Sequence, residues 1–397
     1  MEGPRLGKSP VSRRLKDISP SGIRRFFDLI ASLEGVISLG VGEPDYPTPW
    51  HIREAAIFSL EKGYTMYTSN RGLPELRKEL SRYLERTYGL SYDPEKEILI
   101  TVGVSQGLDL AMRALLNPGE EVLVPDPSYV AYVPCILLAG GKPVPVPTTE
   151  QDGFRLRPEE VARRINSNTK AIFFGYPANP TGTVMPREAL LDIARLVEKH
   201  GLIAVTDEIY ARLVYDGEHT CFAALPGMKE HTVLLGGFSK AYAMTGWRLG
   251  YACGPEEILE AMTRIHQYTM MCAPIMGQMA ALEALKNGDE SVRTMLEEYN
   301  HRRRMIVLGL NRLGLTCTQP GGAFYAFPSI RATGLSSEDF AEKLLLEERV
   351  AVVPGSAFGA CGEGYVRCCY AVSLPAIEEA LNRMGRFVAR CSPQGQA

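Results

Sequence analysis

Lys240 closes the stretch Gly236-Gly237-Phe238-Ser239-Lys240 and stands eight residues before Arg248. A primary amine beside small residues that admit close backbone approach can attack a carbonyl carbon and hold it as a Schiff base. Ser239 and Arg248 add a hydroxyl and a planar guanidinium, both suited to a phosphate. A lone lysine at the end of a strand is ordinarily a surface residue. Its neighbours here argue for chemistry.

Four other segments carry the same kind of signal. Asp207 follows the apolar run Leu202–Thr206 in Thr206-Asp207-Glu208-Ile209-Tyr210. Such a carboxylate can simply cap a helix. Set against a pyridine ring, it would keep the ring nitrogen protonated and make the ring an electron sink. Glu208 reads as structural, and Tyr210 is spaced to reach a phenolic oxygen on the same ring. Asn179-Pro180-Thr181-Gly182 marks a tight turn after another apolar run, which would aim the Asn179 amide into a crevice. Gly103-Val104-Ser105-Gln106-Gly107 is a strand-to-helix turn whose backbone amides could meet a phosphate. Tyr129 follows the next run and could stack on an aromatic ligand or fill a core.

These residues need elements to place them. Ile98–Val102, Glu121–Val124, Lys170–Phe174, Leu202–Thr206, Thr232–Leu235 and Leu249–Cys253 read as strands. Between them lie helical patterns, one through Leu108, Ala111, Met112 and Leu115. Another opens at Pro186, runs through Ala189, Leu190, Ile193, Leu196 and Val197, and stops at Gly201. Alternating apolar strands and helices predict an α/β fold with a mostly parallel sheet covered on both faces. Ligands then sit beyond the carboxyl ends of the strands, where Gly103–Ser105, Asn179, Asp207 and Lys240 fall. From about Asn287 the pattern changes to a long helix (Ser291 to Leu313), the segment Pro320-Gly321-Gly322-Ala323-Phe324-Tyr325 and a helix near Ala376–Ala389. The expected domains are an N-terminal arm with part of a small domain over 1–48, a large domain over 49–286 and a small α+β domain over 287–397.

With 397 residues, 45% apolar and 22% charged, the chain has the balance of a globular protein of two domains. A formal net charge of -3 gives no reason to expect nucleic acid or an anionic membrane as partner. The run His301-Arg302-Arg303-Arg304 is expected to be a solvated helix face. No apolar stretch is long enough for a membrane span, and Met1 to Ser12 has no targeting pattern. Nine scattered cysteines without metal-type spacing suggest reduced thiols in a cytoplasm and no metal.

The chain resembles the class I/II aminotransferases of pyridoxal-phosphate fold type I. The resemblance rests on Gly42-Glu43-Pro44-Asp45, Tyr67 with Gly72-Leu73-Pro74-Glu75-Leu76-Arg77, Asp126-Pro127-Ser128-Tyr129, Asn179-Pro180-Thr181-Gly182 and Asp207-Glu208-Ile209-Tyr210. It continues through Ser239-Lys240, Thr245-Gly246-Trp247-Arg248-Leu249-Gly250 and Tyr365-Val366-Arg367, from about Ser38 to the end. It implies a mostly parallel seven-stranded sheet and pyridoxal 5'-phosphate as cofactor. By this likeness Lys240 forms the internal aldimine and Asp207 pairs with the pyridine nitrogen. Asn179 and Tyr210 bond the phenolic oxygen, and Tyr129 stacks on the ring. Gly103, Val104, Ser105, Ser239 and Arg248 hold the phosphate. Tyr67 reaches the phosphate of a neighbouring subunit in a homodimer. Arg367 clamps the substrate α-carboxylate with help from Asn179 and Gly42.

The implied reaction moves the amino group of an L-amino acid to 2-oxoglutarate through a pyridoxamine phosphate form. Ser105 stands where related aspartate aminotransferases carry a lysine that pairs with the substrate's side-chain carboxylate. Ser38–Asp45, Phe327–Leu335 and Val352–Gly359 are similar to archaeal-type aromatic aminotransferases. The expectation is therefore aromatic and aspartate-like substrates. A carbon–sulfur β-lyase and an N-acetyl-diaminopimelate aminotransferase are the alternatives on the same fold.

Overall fold

The computed structural model describes residues 11, 12, 15, 16, 18 and 33–391. The predicted N-terminal arm lies mostly outside the described residues. Its described end forms strand β1 (Ile37–Ser38). The next seven strands are β2 (Ile98–Thr101), β3 (Glu121–Asp126), β4 (Lys142–Pro147), β5 (Thr169–Phe174), β6 (Ile203–Asp207), β7 (Thr232–Gly237) and β8 (Gly250–Cys253). They build one sheet in the order β2-β8-β7-β6-β5-β3-β4. Strand β8 runs antiparallel to both its neighbours, β2 and β7, and the other pairs are parallel.

This topology brings the candidate residues to one edge. Strands β3, β5, β6 and β7 point the same way, so Asp126, Gly175, Asp207 and Gly237 follow one another along their carboxyl ends. Because β8 is antiparallel, its first residue, Gly250, lies opposite both Gly237 and Thr101. Arg248 and Gly103 therefore reach the same edge from opposite chain directions.

The sheet is buried on both faces. The helix Gly103–Leu115 turns Leu108, Ala111, Met112 and Leu115 into a core shared with Val122, Phe173 and Leu235. The helix Arg187–His200 starts after Pro186 and ends at Gly201, whose φ of 60 is a conformation glycine adopts without strain. Its Leu190, Ile193, Ala194 and Val197 pack with Leu123 and Ile172. Each such side chain contributes about 1.5–3 kcal/mol on burial. Strand β4 went unpredicted because Lys-Pro-Val-Pro-Val-Pro looks like a breaker. It is an edge strand, paired only with β3, where a missing backbone donor costs no ladder bond on the open side.

A second core lies C-terminal. Strands β9 (Tyr325–Ala326), β10 (Val350–Ala351), β11 (Val353–Pro354) and β12 (Val366–Cys369) are short. The order β11-β12-β9 makes an antiparallel sheet, while β1 pairs in parallel with β10. The helices Asp289–Arg312, Ser337–Glu348 and Leu374–Cys391 pack over them through Ile306, Phe340, Leu344, Ile377 and Phe387, with Leu39 in the same cluster.

Only half of the basic run His301–Arg304 is the solvated face expected of it: His301 and Arg304 are exposed. Arg302 and Arg303 are only 6% and 1% exposed. Arg302 donates to both oxygens of Asp45 at 2.8 Å, and its guanidinium lies 5.6 Å from the Tyr299 ring. Arg303 donates to Asp216 at 2.7 Å and to the Pro320 carbonyl at 2.8 Å, 4.5 Å over the Tyr215 ring. Carboxylates and aromatic rings brought in from distant parts of the chain make burial of these two cations tolerable.

Candidate active site

A cavity of about 390 Å³ opens at the carboxyl edge of the main sheet. Gly42, Val104, Ser105, Tyr129, Asn179, Asp207, Tyr210, Ser239, Lys240, Arg248 and Arg367 all line it. Gly103 adjoins it through its backbone. Tyr67 does not line it and is 80% exposed.

Lys240 follows β7 and is drawn inward. Its Nζ donates to the Gly42 carbonyl and lies 5.9 Å from the Tyr210 ring and 5.8 Å from the Phe324 ring. Burial pushes its pKa down to about 8, since an enclosed ammonium loses hydration. An amine so placed is neutral more often than a surface lysine and is the better nucleophile.

Asp207 ends β6. Its Oδ2 accepts from the Tyr132 hydroxyl at 3.0 Å and its Oδ1 from the Ile209 amide at 3.2 Å. Burial raises its pKa to about 6 against these bonds, which favour the anion. No ion pair joins it to a cation of the described residues, so the site invites a positive partner from outside. Tyr132 was not singled out from sequence. Its place three residues after Tyr129 was the only hint, and their rings meet edge to face at 5.6 Å. Glu208 turns away from the cavity. It accepts from the Phe222 amide at 3.1 Å and pairs with His219 at 2.7 Å, a structural role.

Arg367 sits on β12. Its Nη1 donates to Asn179 Oδ1 at 2.9 Å and its Nη2 to the Gly40 carbonyl at 2.6 Å. The guanidinium lies 4.5 Å from the Tyr325 ring and 5.0 Å from the Phe358 ring. Its Nε is buried without a partner. Tyr325, also missed as a site residue, bonds the Tyr210 hydroxyl at 2.6 Å.

The opposite end of the cavity is built from backbone. Gly103 opens its helix with φ 72, and a Cβ there would come 2.7 Å from Arg248 Nη2. A Cβ on Gly250 would come 2.7 Å from the Val104 nitrogen. Glycine at both positions lets the guanidinium, Ser239 and a helix N-terminus crowd together, a set of donors that matches a phosphate dianion. A cluster of donors suited to a phosphate, an amine of lowered pKa, a buried carboxylate and a buried arginine line one cavity, a set that fits pyridoxal phosphate.

The fold and this cavity have the architecture of an aminotransferase. The family model "Aminotransferase class I and II" matches residues 34–384, and the chain belongs to that family. The chain is 57% identical over 380 residues to the Bacillus subtilis (strain 168) protein YugH, covering 96% of this chain and 98% of that one. It is 45% identical over 381 residues to aromatic-amino-acid aminotransferase 2 of Thermococcus litoralis, covering 95% and 98%. The solved aspartate aminotransferase of Thermus thermophilus with maleate superposes with a TM-score of 0.91 at 40% identity, covering 97% and 100%. The protein is a transaminase of class I and II.

Proposed function

We propose that this transaminase holds pyridoxal phosphate on Lys240 and exchanges the amino groups of aromatic and aspartate-like L-amino acids with 2-oxoglutarate. The observation that carries the reading is the convergence of Lys240, Asp207 and Arg367 on one cavity. When bound, the cofactor supplies an electrophilic aldehyde carbon and an electron-withdrawing ring that acidifies the substrate's α-proton.

The chain's own residues divide the rest of the work. Gly103, Val104, Ser105, Ser239 and Arg248 bind the phosphate and fix the ring's position. Tyr129 stacks on one face. Asp207, buried and held by Tyr132, keeps the ring nitrogen protonated. Tyr210 and Asn179 donate to the ring's phenolic oxygen. Arg367, already oriented by Gly40 and Asn179, receives the substrate carboxylate and so sets which α-bond faces Lys240. Lys240, as a free amine, would be the group that holds and moves the substrate's α-proton; its lowered pKa suits a base working near neutrality.

Tyr67 would serve a neighbouring copy. It lies in a loop with exposed Tyr64 and Met66, and Asn70 of that loop bonds the Met271 carbonyl at 2.8 Å, beside exposed Tyr268 and Met270. Exposed apolar groups of this size favour a homodimer. Ser105 at the cavity wall offers no cation to a side-chain carboxylate, which supports acceptance of aromatic side chains. The names of the Thermococcus and Thermus relatives support aromatic and aspartate substrates in turn. The cysteines are free in the structure, in keeping with a cytoplasmic setting.

Half-reactions test this reading. The yellow protein is mixed singly with phenylalanine, tyrosine, aspartate, glutamate and alanine, and loss of the visible band is followed. Phenylalanine, tyrosine, aspartate and glutamate should bleach it. Bleaching by none of them, with pyruvate released from cystathionine, would make the protein a β-lyase.

A further inference from the structure

Tyr325 ends the segment Pro320–Tyr325, is 1% exposed and touches both halves of the cavity. It pairs with Cys369 across the β9–β12 ladder, which brings it beside Arg367 on the same strand. The Arg367 guanidinium lies 4.5 Å from its ring centre and 5.0 Å from that of Phe358. The polar ends of this guanidinium are committed to Gly40 and Asn179, so its faces are supported by aromatic rings and nothing ionic.

The hydroxyl of Tyr325 has two neighbours. It lies 2.6 Å from the Tyr210 oxygen and 3.5 Å from the Gly42 carbonyl. The carbonyl is the poorer partner, at the limit of hydrogen bonding. Either hydroxyl can be the donor in the Tyr210 pair; when Tyr325 donates, its better acceptor is Tyr210. That arrangement leaves the Tyr210 proton free to point into the cavity, and a hydroxyl that accepts one bond donates the next more strongly. Gly42 is glycine for the same reason: a Cβ there would meet the Tyr325 hydroxyl at 2.5 Å.

We propose that Tyr325 is a positioning residue serving both ends of the site, its ring supporting the Arg367 guanidinium and its hydroxyl ordering the Tyr210 hydroxyl toward the cofactor. The inference rests on the reading of Arg367 and Tyr210 given above. Ring and hydroxyl act on different observables, so the two roles separate. The charged and titratable groups around Tyr325 are Arg367, Cys369, Tyr210 and Tyr129, and none of them is altered in the test.

The test uses cofactor-loaded wild type, Tyr325→Phe and Tyr325→Leu. The probe is 3-phenylpropanoate, a carboxylate without an amine. Its affinity is measured by titration, and the pH midpoint of the visible absorbance band is measured without it. Tyr325→Phe should bind the probe within about twofold of wild type, because the ring remains. It should raise the midpoint by about half a pH unit, because a weaker Tyr210 donor stabilises the phenolate less and strengthens its hold on the imine proton. Tyr325→Leu should weaken the probe about tenfold and raise the midpoint equally. Phe358→Leu removes the other ring alone and should weaken the probe with the midpoint unmoved.

A Tyr325→Phe midpoint within about 0.1 unit of wild type would overturn the hydroxyl's role. Equal probe affinities in Tyr325→Phe and Phe358→Leu would overturn the ring's role, even if Tyr325→Leu does not fold. A wild-type protein with no visible band would sink the cofactor reading itself; a wild-type band with an unmoved variant sinks this inference alone.

Discussion

The Tyr132 hydroxyl donates a 3.0 Å hydrogen bond to Asp207 Oδ2 at the buried wall of the cavity. The bond opposes the effect of burial, which otherwise drives Asp207 toward its neutral form. Tyr132→Phe should leave the carboxylate less ionised and the ring nitrogen less protonated. A hydrogen bond to a charged group is worth about 1.5–3 kcal/mol, so kcat/KM should fall about tenfold or more, with little change in KM. Steady-state kinetics with a good amino donor check this, and unchanged kinetics would remove Tyr132 from the account.

Asp207 also links pH to the stability of the cofactor-free protein. Its folded pKa of about 6 lies above the ordinary aspartate value of 3.8. Folding is therefore favoured by this group below the lower value, and that contribution is lost as pH rises through about 6. Asp207→Asn removes the buried charge. At pH 8 the cofactor-free variant should be more stable than wild type by up to about 3 kcal/mol, and near pH 4 the two should converge. Denaturant unfolding at the two pH values measures it, and turnover of the variant should drop by at least about a hundredfold.

The Arg367 guanidinium is oriented by Asn179 and the Gly40 carbonyl, and under the proposed function it receives the substrate carboxylate. Arg367→Gln should lower kcat/KM by about a hundredfold for every amino acid, because all share the α-carboxylate. A loss confined to aspartate and glutamate would mean that Arg367 reads the side chain instead.

Arg303 provides a structural counterpart. It is 1% exposed and bonded to Asp216 and the Pro320 carbonyl. Arg303→Met should destabilise the fold by about 2–4 kcal/mol, whereas a solvated surface arginine would give a change within about 0.5 kcal/mol. Urea midpoints at constant slope decide between these.

The legibility of this chain divided along physical lines. Apolar strands β3, β5, β6 and β7 are readable because buried parallel strands need continuous hydrophobic runs. Strand β4 was hidden by its three prolines, and the two-residue strands β1, β9, β10 and β11 are too short to show a period. Lys240, Asp207, Asn179 and the Gly103–Ser105 turn could be proposed because each follows an apolar strand run, and a resemblance over most of the chain gave roles to these and to Arg248 and Arg367. Tyr132 and Tyr325 escaped because what matters about them is a distance: 3.0 Å to Asp207 and 2.6 Å to Tyr210. The Arg302–Arg303 reading failed because nothing local shows that Asp45 and Asp216, far away in sequence, will meet a helix face.

Reduction of the yellow protein with borohydride, followed by peptide mapping, tests the central claim most directly. The account predicts a pyridoxyl group fixed to the peptide carrying Lys240, and loss of that label together with turnover in Lys240→Ala. A label on another lysine, or a Lys240→Ala protein that still transaminates, would contradict it.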